Sequence, residues 1–424
     1  MSVAPDPEVR RASAAPYFDV RMRGFRDRAD VEDVLALLKT RLGPLPAEIA
    51  CLSEAAGRVL AAEVISPVAV PAFDRSAMDG YALQAQETFS ASPYNPMEFE
   101  VVGASLPARP FSGRLGPNQA VRIMTGAPLP EGADAVLQAE AAEEVAGRLR
   151  VSEPVPPGRN VGRRGEDIAE GTRILAAGRT LRPQDLGVLA SIGAVSIQVI
   201  RRPTVALIVT GDELLPCGSR PEGYRIVDSN SIMLEALVRR DGGVPPPARL
   251  VPDRRDAVEA ALTRVDADVI LVSGGSSVGQ EDHAPRVLAE LGELSVHGMA
   301  LRPASPAGVG FLKNRPVFLL PGNPVSCLCA YDFFAGPAVR CLGGRRMDWP
   351  YRSCKLPLAR KIASVVGRVD YVRVQIHDSA VEPLATSGAS ILSSTTRADG
   401  FVIVSRDSEG TAAGQEVEVF LYDW

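Results

Sequence analysis

Residues 268 to 282 read DVILVSGGSSVGQED. An apolar run ends in paired glycines and serines, and the acidic pair Glu281 and Asp282 follows at once. Glycines let a backbone approach a ligand closely, serines donate hydrogen bonds, and exposed N–H groups favour an anion. Two carboxylates beside such a turn repel that anion unless a metal ion sits between them. The pattern suits a phosphate-bearing ligand held together with a divalent cation; its plain alternative is a tight, glycine-rich connection from strand to helix. It is not a P-loop, because no lysine follows the glycines, and no G-x-G-x-x-G opens the region.

Three other stretches offer matching chemistry. TGDEL, from Thr210 to Leu214, ends an apolar run with another acidic pair. IVDSNS sets Asp228, Ser229 and Asn230 just ahead of a helical segment, where N-capping is the ordinary role. LLPGNPVS ends a third apolar run with Asn323 held between two prolines. Strand ends carrying Asp, Asn, Ser and Gly together suit a polar site for a phosphorylated, metal-assisted ligand.

The elements that must position these residues follow from the pattern around them. VALIVT, VILVSG and VFLLPG are continuous apolar runs, as expected of parallel strands buried on both faces. Helical segments separate them: SNSIMLEALVRR, RDAVEAALTRV and APRVLAELG. This β-α-β-α-β order predicts a three-layer α/β domain with its ligand at the carboxyl ends of the strands. PVSCLCAYDFF reads as helical, and Cys327 and Cys329, two apart, then point to different sides and serve packing rather than one metal.

Upstream, VEDVLALLKTRL has apolar residues at helical spacing, and SEAAGRVLAAEV predicts a second helix with Ser53 as N-cap. From about residue 98 the runs EFEVVGA, AVRIMTG, DAVLQAE and GRLRVSE predict a small β domain. RPQDLGVLASIG reads as a short helix ended by glycine. Beyond about residue 347, YVRVQIHD, GFVIVS and VEVFLYD predict a small barrel or sandwich.

Composition narrows the classes. A chain of 424 residues calls for two to four domains. Charged residues at 23% and hydrophobic ones at 46% are ordinary for a soluble globular protein. A net charge of −5, with no Lys/Arg-rich run or aromatic ladder, argues against a nucleic-acid partner. No apolar stretch reads as a membrane span. Six cysteines without disulfide or zinc spacing fit a reducing, cytoplasmic setting, and three dispersed histidines make no metal site. Residues 1–27 show no secretory signal.

Eight motifs in order, FDRSAMDGYAL, RIMTGAPLPEGADAV, GRNVGRRGEDI, TGDEL, DSNS, SGGSSVGQED, LLPGNPVS and SGASILSS, resemble the molybdopterin molybdenumtransferase (molybdenum insertase) family, to which the gephyrin E domain is related. The resemblance runs from about residue 28 to 424. It implies a multidomain α/β plus β fold: an elongated N-terminal domain over 28–69 and 158–200, a β-rich inserted domain over 70–157, an α/β molybdopterin-binding domain over 201–346, and a C-terminal β-barrel over 347–424. It further implies a homodimer acting in molybdenum cofactor synthesis, which takes adenylylated molybdopterin, releases AMP and inserts molybdate with Mg²⁺. A molybdoenzyme or the upstream adenylyltransferase would be further partners.

Carried over residue by residue, the resemblance implies catalytic roles for Asp79, Thr125, Asp167, Glu213, Asp253 and Asp282, with Glu213, Asp253 and Asp282 as metal ligands. Asp79 would come to the α/β domain from the other subunit. The ligand would be bound by Asp228, Asn230, Ser273, Gly274, Gly275, Ser276, Ser277, Gly279, Pro321, Gly322, Asn323 and Pro324. Single plain roles also exist: Asp79 could shape a turn, and Asp253 could cap the next helix.

The chain departs from the family at VHGMALRPASPAG. Gly298 stands at the first of three expected lysines, Arg302 at the second and Ser305 at the third. Arg302 is therefore expected to keep a catalytic cation and Ser305 a ligand contact, with Arg75, Arg163, Arg164 or Arg225 as substitutes for the lost charge, since guanidinium and ammonium are not equivalent. The departure leaves room for two alternatives. One is a non-catalytic molybdopterin or cofactor carrier; the other is the related adenylyltransferase, whose resemblance would stop at one α/β domain.

Overall fold

The computed structural model describes residues 25, 27–275, 282–385 and 388–422. The chain divides into two compact units. One holds residues up to 48, 57–59 and 200 onward; the other holds 49–56 and 60–199.

In the first unit, an α/β sheet is built from β1 (Val205–Thr210), α1 (Asn230–Arg240), β2 (Arg249–Val251), α2 (Arg255–Arg264), β3 (Val269–Ser273), α3 (Ala284–Leu291), β4 (Glu293–His297), β5 (Gly308–Leu312), β6 (Arg315–Leu320) and α4 (Pro324–Ala330). The strand order is β2-β1-β3-β6-β5-β4. The first four strands are parallel, and β5 and β4 complete the sheet as antiparallel neighbours. All residues of β1 and β3 are buried, which explains their unbroken apolar runs. Ile208, Val272, Leu319, Gly308 and His297 form one row across the sheet, so β4 ends at the same carboxyl edge as β1, β3 and β6.

The apolar stretch Pro324–Leu342 corrects the expectation that no segment approaches a membrane span. It is a 19-residue helical run of mean hydropathy 1.2. Its window is 94% buried within the protein, and that burial accounts for its composition. Cys327 and Cys329 lie inside it, both fully buried, as packing residues. Burial pushes the Cys327 thiol up to about 12, so it remains protonated.

The helix Val31–Arg41 and a C-terminal sheet belong to the same unit. That sheet runs Leu301–Arg302, Val369–His377, Gly400–Val404, Glu416–Leu421, Ser353–Pro357, with Ala380–Ala385 on its second strand. A bridge between Leu358 and Val381 joins the last strand to Ala380–Ala385 and closes a barrel around Val372, Val374, Val402 and Val419.

The second unit contains a mixed six-stranded sheet in the order Ala135–Gln138, Gly80–Leu83, Gln119–Ile123, Met97–Ser105, Arg148–Val151, Glu143–Val145. The helix Pro183–Ser191 also forms, and Gly193 beyond it has φ +84°. The helix expected from Ser53 does not. A short 3₁₀ turn covers Leu52–Glu54, and Gly57 at φ +72° breaks any continuation.

Candidate active site

At the carboxyl ends of β1, β3 and β6 lies a cavity of about 500 Å³. Eleven expected residues line it: Glu213, Asp228, Asn230, Asp253, Ser273, Gly274, Gly275, Asp282, Gly322, Asn323 and Pro324. Such a crevice outside the strand ends is where parallel α/β sheets place ligands, because the connecting turns there share one edge.

The turns are held by specific contacts. Gly274 donates its N–H to Leu320 O at 3.1 Å, joining β3 to β6. Its φ is +91°, and a Cβ there would meet Thr210 O at 2.4 Å, so only glycine fits against β1. Asn230, at the start of α1, donates its amide to Ser273 Oγ at 2.9 Å and to Gly322 O at 2.8 Å. One side chain thus ties the ends of β3 and β6 to a helix. Asp228 accepts the Ser231 N–H at 3.1 Å and also the Ser231 hydroxyl, so its carboxylate caps α1.

Asp253 does not cap α2, whose first turn lacks a side-chain cap. Its Oδ2 instead accepts the Asp212 N–H at 3.3 Å, while Asp212 Oδ1 accepts the Asp253 N–H at 3.2 Å. This reciprocal pair fixes the acidic turn after β1 against the end of β2. Pro321 is buried and does not line the cavity. Ser276, Ser277, Gly279 and Glu281 lie outside the described residues.

Ser390, in the late SGASILSS stretch, also lines the cavity, and Val325 N–H donates to Ala389 O at 2.9 Å. The motif carried the signal for that contact, but no spacing argument connects residue 390 to a strand end some seventy residues earlier. Among the described lining residues there is no lysine or arginine. Nor do the described residues contain three or more His, Cys, Asp or Glu side chains gathered to hold a metal ion.

Arg302 and Ser305 are not at the cavity. Arg302 pairs with Asp370 of the barrel, a carboxylate 1% exposed that Arg368 also approaches, at 3.2 Å. Its charge is spent on a buried acid. Of the proposed substitutes, Arg75 meets Glu166 at 3.4 Å, Arg163 meets Asp74 at 2.9 Å, and Arg164 meets Glu170 at 3.0 Å. Arg225 donates to Leu214 O at 3.0 Å.

In the second unit, Thr125 donates both its N–H and its hydroxyl to Asp79 Oδ1, at 2.6 and 2.8 Å. The backbone donor first, and the hydroxyl second, hold the Asp79 carboxyl below the usual carboxylate range. Both residues are exposed, as is Asp167, whose N–H donates to Val70 O.

This combination of a mostly parallel α/β sheet, a strand-end cavity of acids and glycines, a β-rich unit and a C-terminal barrel defines a class of multidomain proteins with a polar ligand site at the carboxyl edge of an α/β domain. Comparison with known proteins agrees over most of the chain. Residues 29–193 match the MoeA N-terminal region (domain I and II), 206–340 a probable molybdopterin binding domain, and 355–422 the MoeA C-terminal region (domain IV). A molybdopterin molybdenumtransferase 2 from Mycobacterium tuberculosis is 34% identical over 383 residues, 87% of this chain and 93% of that protein. The Haemophilus influenzae molybdopterin molybdenumtransferase is 32% identical, over 89% of this chain and 94% of its own. A crystal structure of the Pyrococcus horikoshii molybdopterin biosynthesis MoeA protein superposes with a TM-score of 0.81 at 33% identity, covering 94% of this chain and all of that one. The chain belongs to the MoeA family of molybdopterin molybdenumtransferases.

Proposed function

We infer that this protein is a transferase of molybdenum cofactor biosynthesis that inserts molybdate into adenylylated molybdopterin and releases AMP. The observation that carries this reading is the cavity in which Gly274, Gly275 and Gly322 stand beside Glu213, Asp253 and Asp282. In it, the Gly274–Gly275 and Gly322–Pro324 turns receive the phosphates, with Asn230 keeping them in register. The four-domain division given above and an assembly of two copies, with Asp79 of the partner subunit facing the α/β domain, belong to the same proposal. So does a reducing, cytoplasmic setting.

The donor set fits Mg²⁺. Glu213, Asp253 and Asp282 offer only carboxylate oxygens, and the described lining holds no lysine or arginine. Mg²⁺ usually takes one or two carboxylates and completes its shell with water and substrate phosphate, so a closed protein cage is not required. When bound it would neutralise phosphate charge and so remove the repulsion between ligand and acids.

The absence of a lysine or arginine from the described lining favours a second reading, a carrier that holds molybdopterin without turning it over. AMP release from adenylylated molybdopterin, measured with Mg²⁺ and with or without molybdate, separates the two. Molybdate-dependent release supports the transferase; tight binding without release in either condition establishes the carrier.

A further inference from the structure

Two side-chain atoms in the cavity lining are buried and have no hydrogen-bond partner among the described residues: the Thr210 hydroxyl and Asn230 Oδ1. Thr210 is 4% exposed and Asn230 6%. An unpaired polar atom buried in this way is destabilising, so two at one cavity call for a ligand that completes them.

What they ask of a ligand is set by the network behind them. Asn230 gives both amide hydrogens to the protein, at Ser273 Oγ and Gly322 O. Gly322 O is a carbonyl and only accepts, which fixes which end of the amide is nitrogen. Asn230 Oδ1 is therefore left as an acceptor. Ser273 Oγ lies 3.7 Å from Cys327 Sγ, and Cys327 is fully buried, so the network closes inside the protein. The Thr210 hydroxyl both donates and accepts. A Cβ on Gly274 would come 3.0 Å from it and one on Gly275 2.9 Å, so the paired glycines leave the space beside it open.

Ionised phosphate and molybdate oxygens only accept. They suit the backbone N–H groups of the turns, but Asn230 Oδ1 repels them. The described lining also holds the carboxylates of Glu213, Asp228, Asp253 and Asp282, with no lysine or arginine. The floor of the cavity thus selects a neutral ligand edge that carries N–H donors.

We propose that Asn230 Oδ1 and the Thr210 hydroxyl form a heterocycle subsite within this cavity, with Asn230 accepting from an amino group of the ring and Thr210 bonding a neighbouring ring atom. The ring is the pterin or the adenine of the adenylylated substrate, since both carry an exocyclic amino group. This rests on the cavity being the molybdopterin site, and it makes Thr210 and Asn230 the residues that read the ring rather than the phosphates.

The experiment titrates the full chain calorimetrically, in the presence of Mg²⁺, with two matched pairs: pterin against lumazine, and AMP against IMP. Each pair exchanges one amino donor for a carbonyl acceptor and leaves the ring otherwise similar in shape. The expected result is that the amino member of one pair binds about tenfold more tightly, because its analogue sets a carbonyl against Asn230 Oδ1. The pair that discriminates identifies the ring. Thr210→Val, which keeps the shape and removes the hydroxyl, should weaken that ligand about fivefold, and Thr210→Ser should restore most of the loss. Melting of Thr210→Val should not fall below wild type, because the hydroxyl has no described protein partner to lose. Equal affinity within both pairs, or no binding of any of the four, overturns the proposal. So does a Thr210→Val variant that binds like wild type, or one that melts markedly lower, since its hydroxyl would then serve the fold. A wild type that discriminates within a pair but releases no AMP from adenylylated molybdopterin would fail the transferase reading and leave this one standing.

Discussion

The two acidic sites of this chain are held in different ways. At the strand ends of the first unit, the turns are fixed by neighbours from other elements: Gly274 by Leu320, Asn230 by Ser273 and Gly322, Asp253 by Asp212. In the second unit, Asp79 is exposed and takes both its side-chain hydrogen bonds from one residue, Thr125. The first arrangement suits a pocket shaped before the ligand arrives, since it is anchored in a buried sheet. The second suits a single group presented on a surface, where one partner sets its ionisation and little packing depends on it.

The contrast ranks what substitutions do. Gly274→Ala forces a side chain into a left-handed backbone and against Thr210 O. The expected loss is about 3 kcal/mol of stability, read by urea unfolding, with collapse of pterin binding. An unchanged midpoint would show that the turn is not wedged against β1. Next is Asn230→Ala, which leaves Ser273 Oγ and Gly322 O without this donor; it should cost about 2 kcal/mol. If the strand-end site were as loosely held as Asp79, that loss would be near zero.

The smallest effect belongs to Thr125→Val. Because the Thr125 donors depress the Asp79 pKa, their contribution to stability is present above the ordinary carboxylate value of about 3.9. It is lost as pH falls through the lower folded value. The variant removes only the hydroxyl and keeps the backbone donor, so it should move the Asp79 titration, followed by carboxyl NMR, part of the way back toward about 3.9 and leave neutral-pH melting almost unaltered. A large drop in melting temperature would put Asp79 among the structural residues instead.

Much of the strand-end site was legible because its signals are local. Unbroken apolar runs ending in Gly, Asp and Asn mark buried parallel strands and their carboxyl turns, and the sheet then brings those turns together. What escaped was decided by distant contacts. Arg302 looked like a site cation until Asp370, 68 residues later, claimed it. Ser390 reaches the cavity through a loop with no periodic pattern. The segment after Ser53 has helix-forming composition, but Gly57 takes a positive φ and its carbonyl is bound by Arg345, a partner 288 residues away.

The central claim is that the acids at the strand ends act on one bound molybdopterin. Its most direct test is magnesium-dependent AMP release from adenylylated molybdopterin by the wild type and by Asp253→Asn. The account predicts release by the wild type, a fall on the order of 100-fold in the variant, and a melting temperature close to wild type. Equal release by the two proteins, both folded, would contradict it.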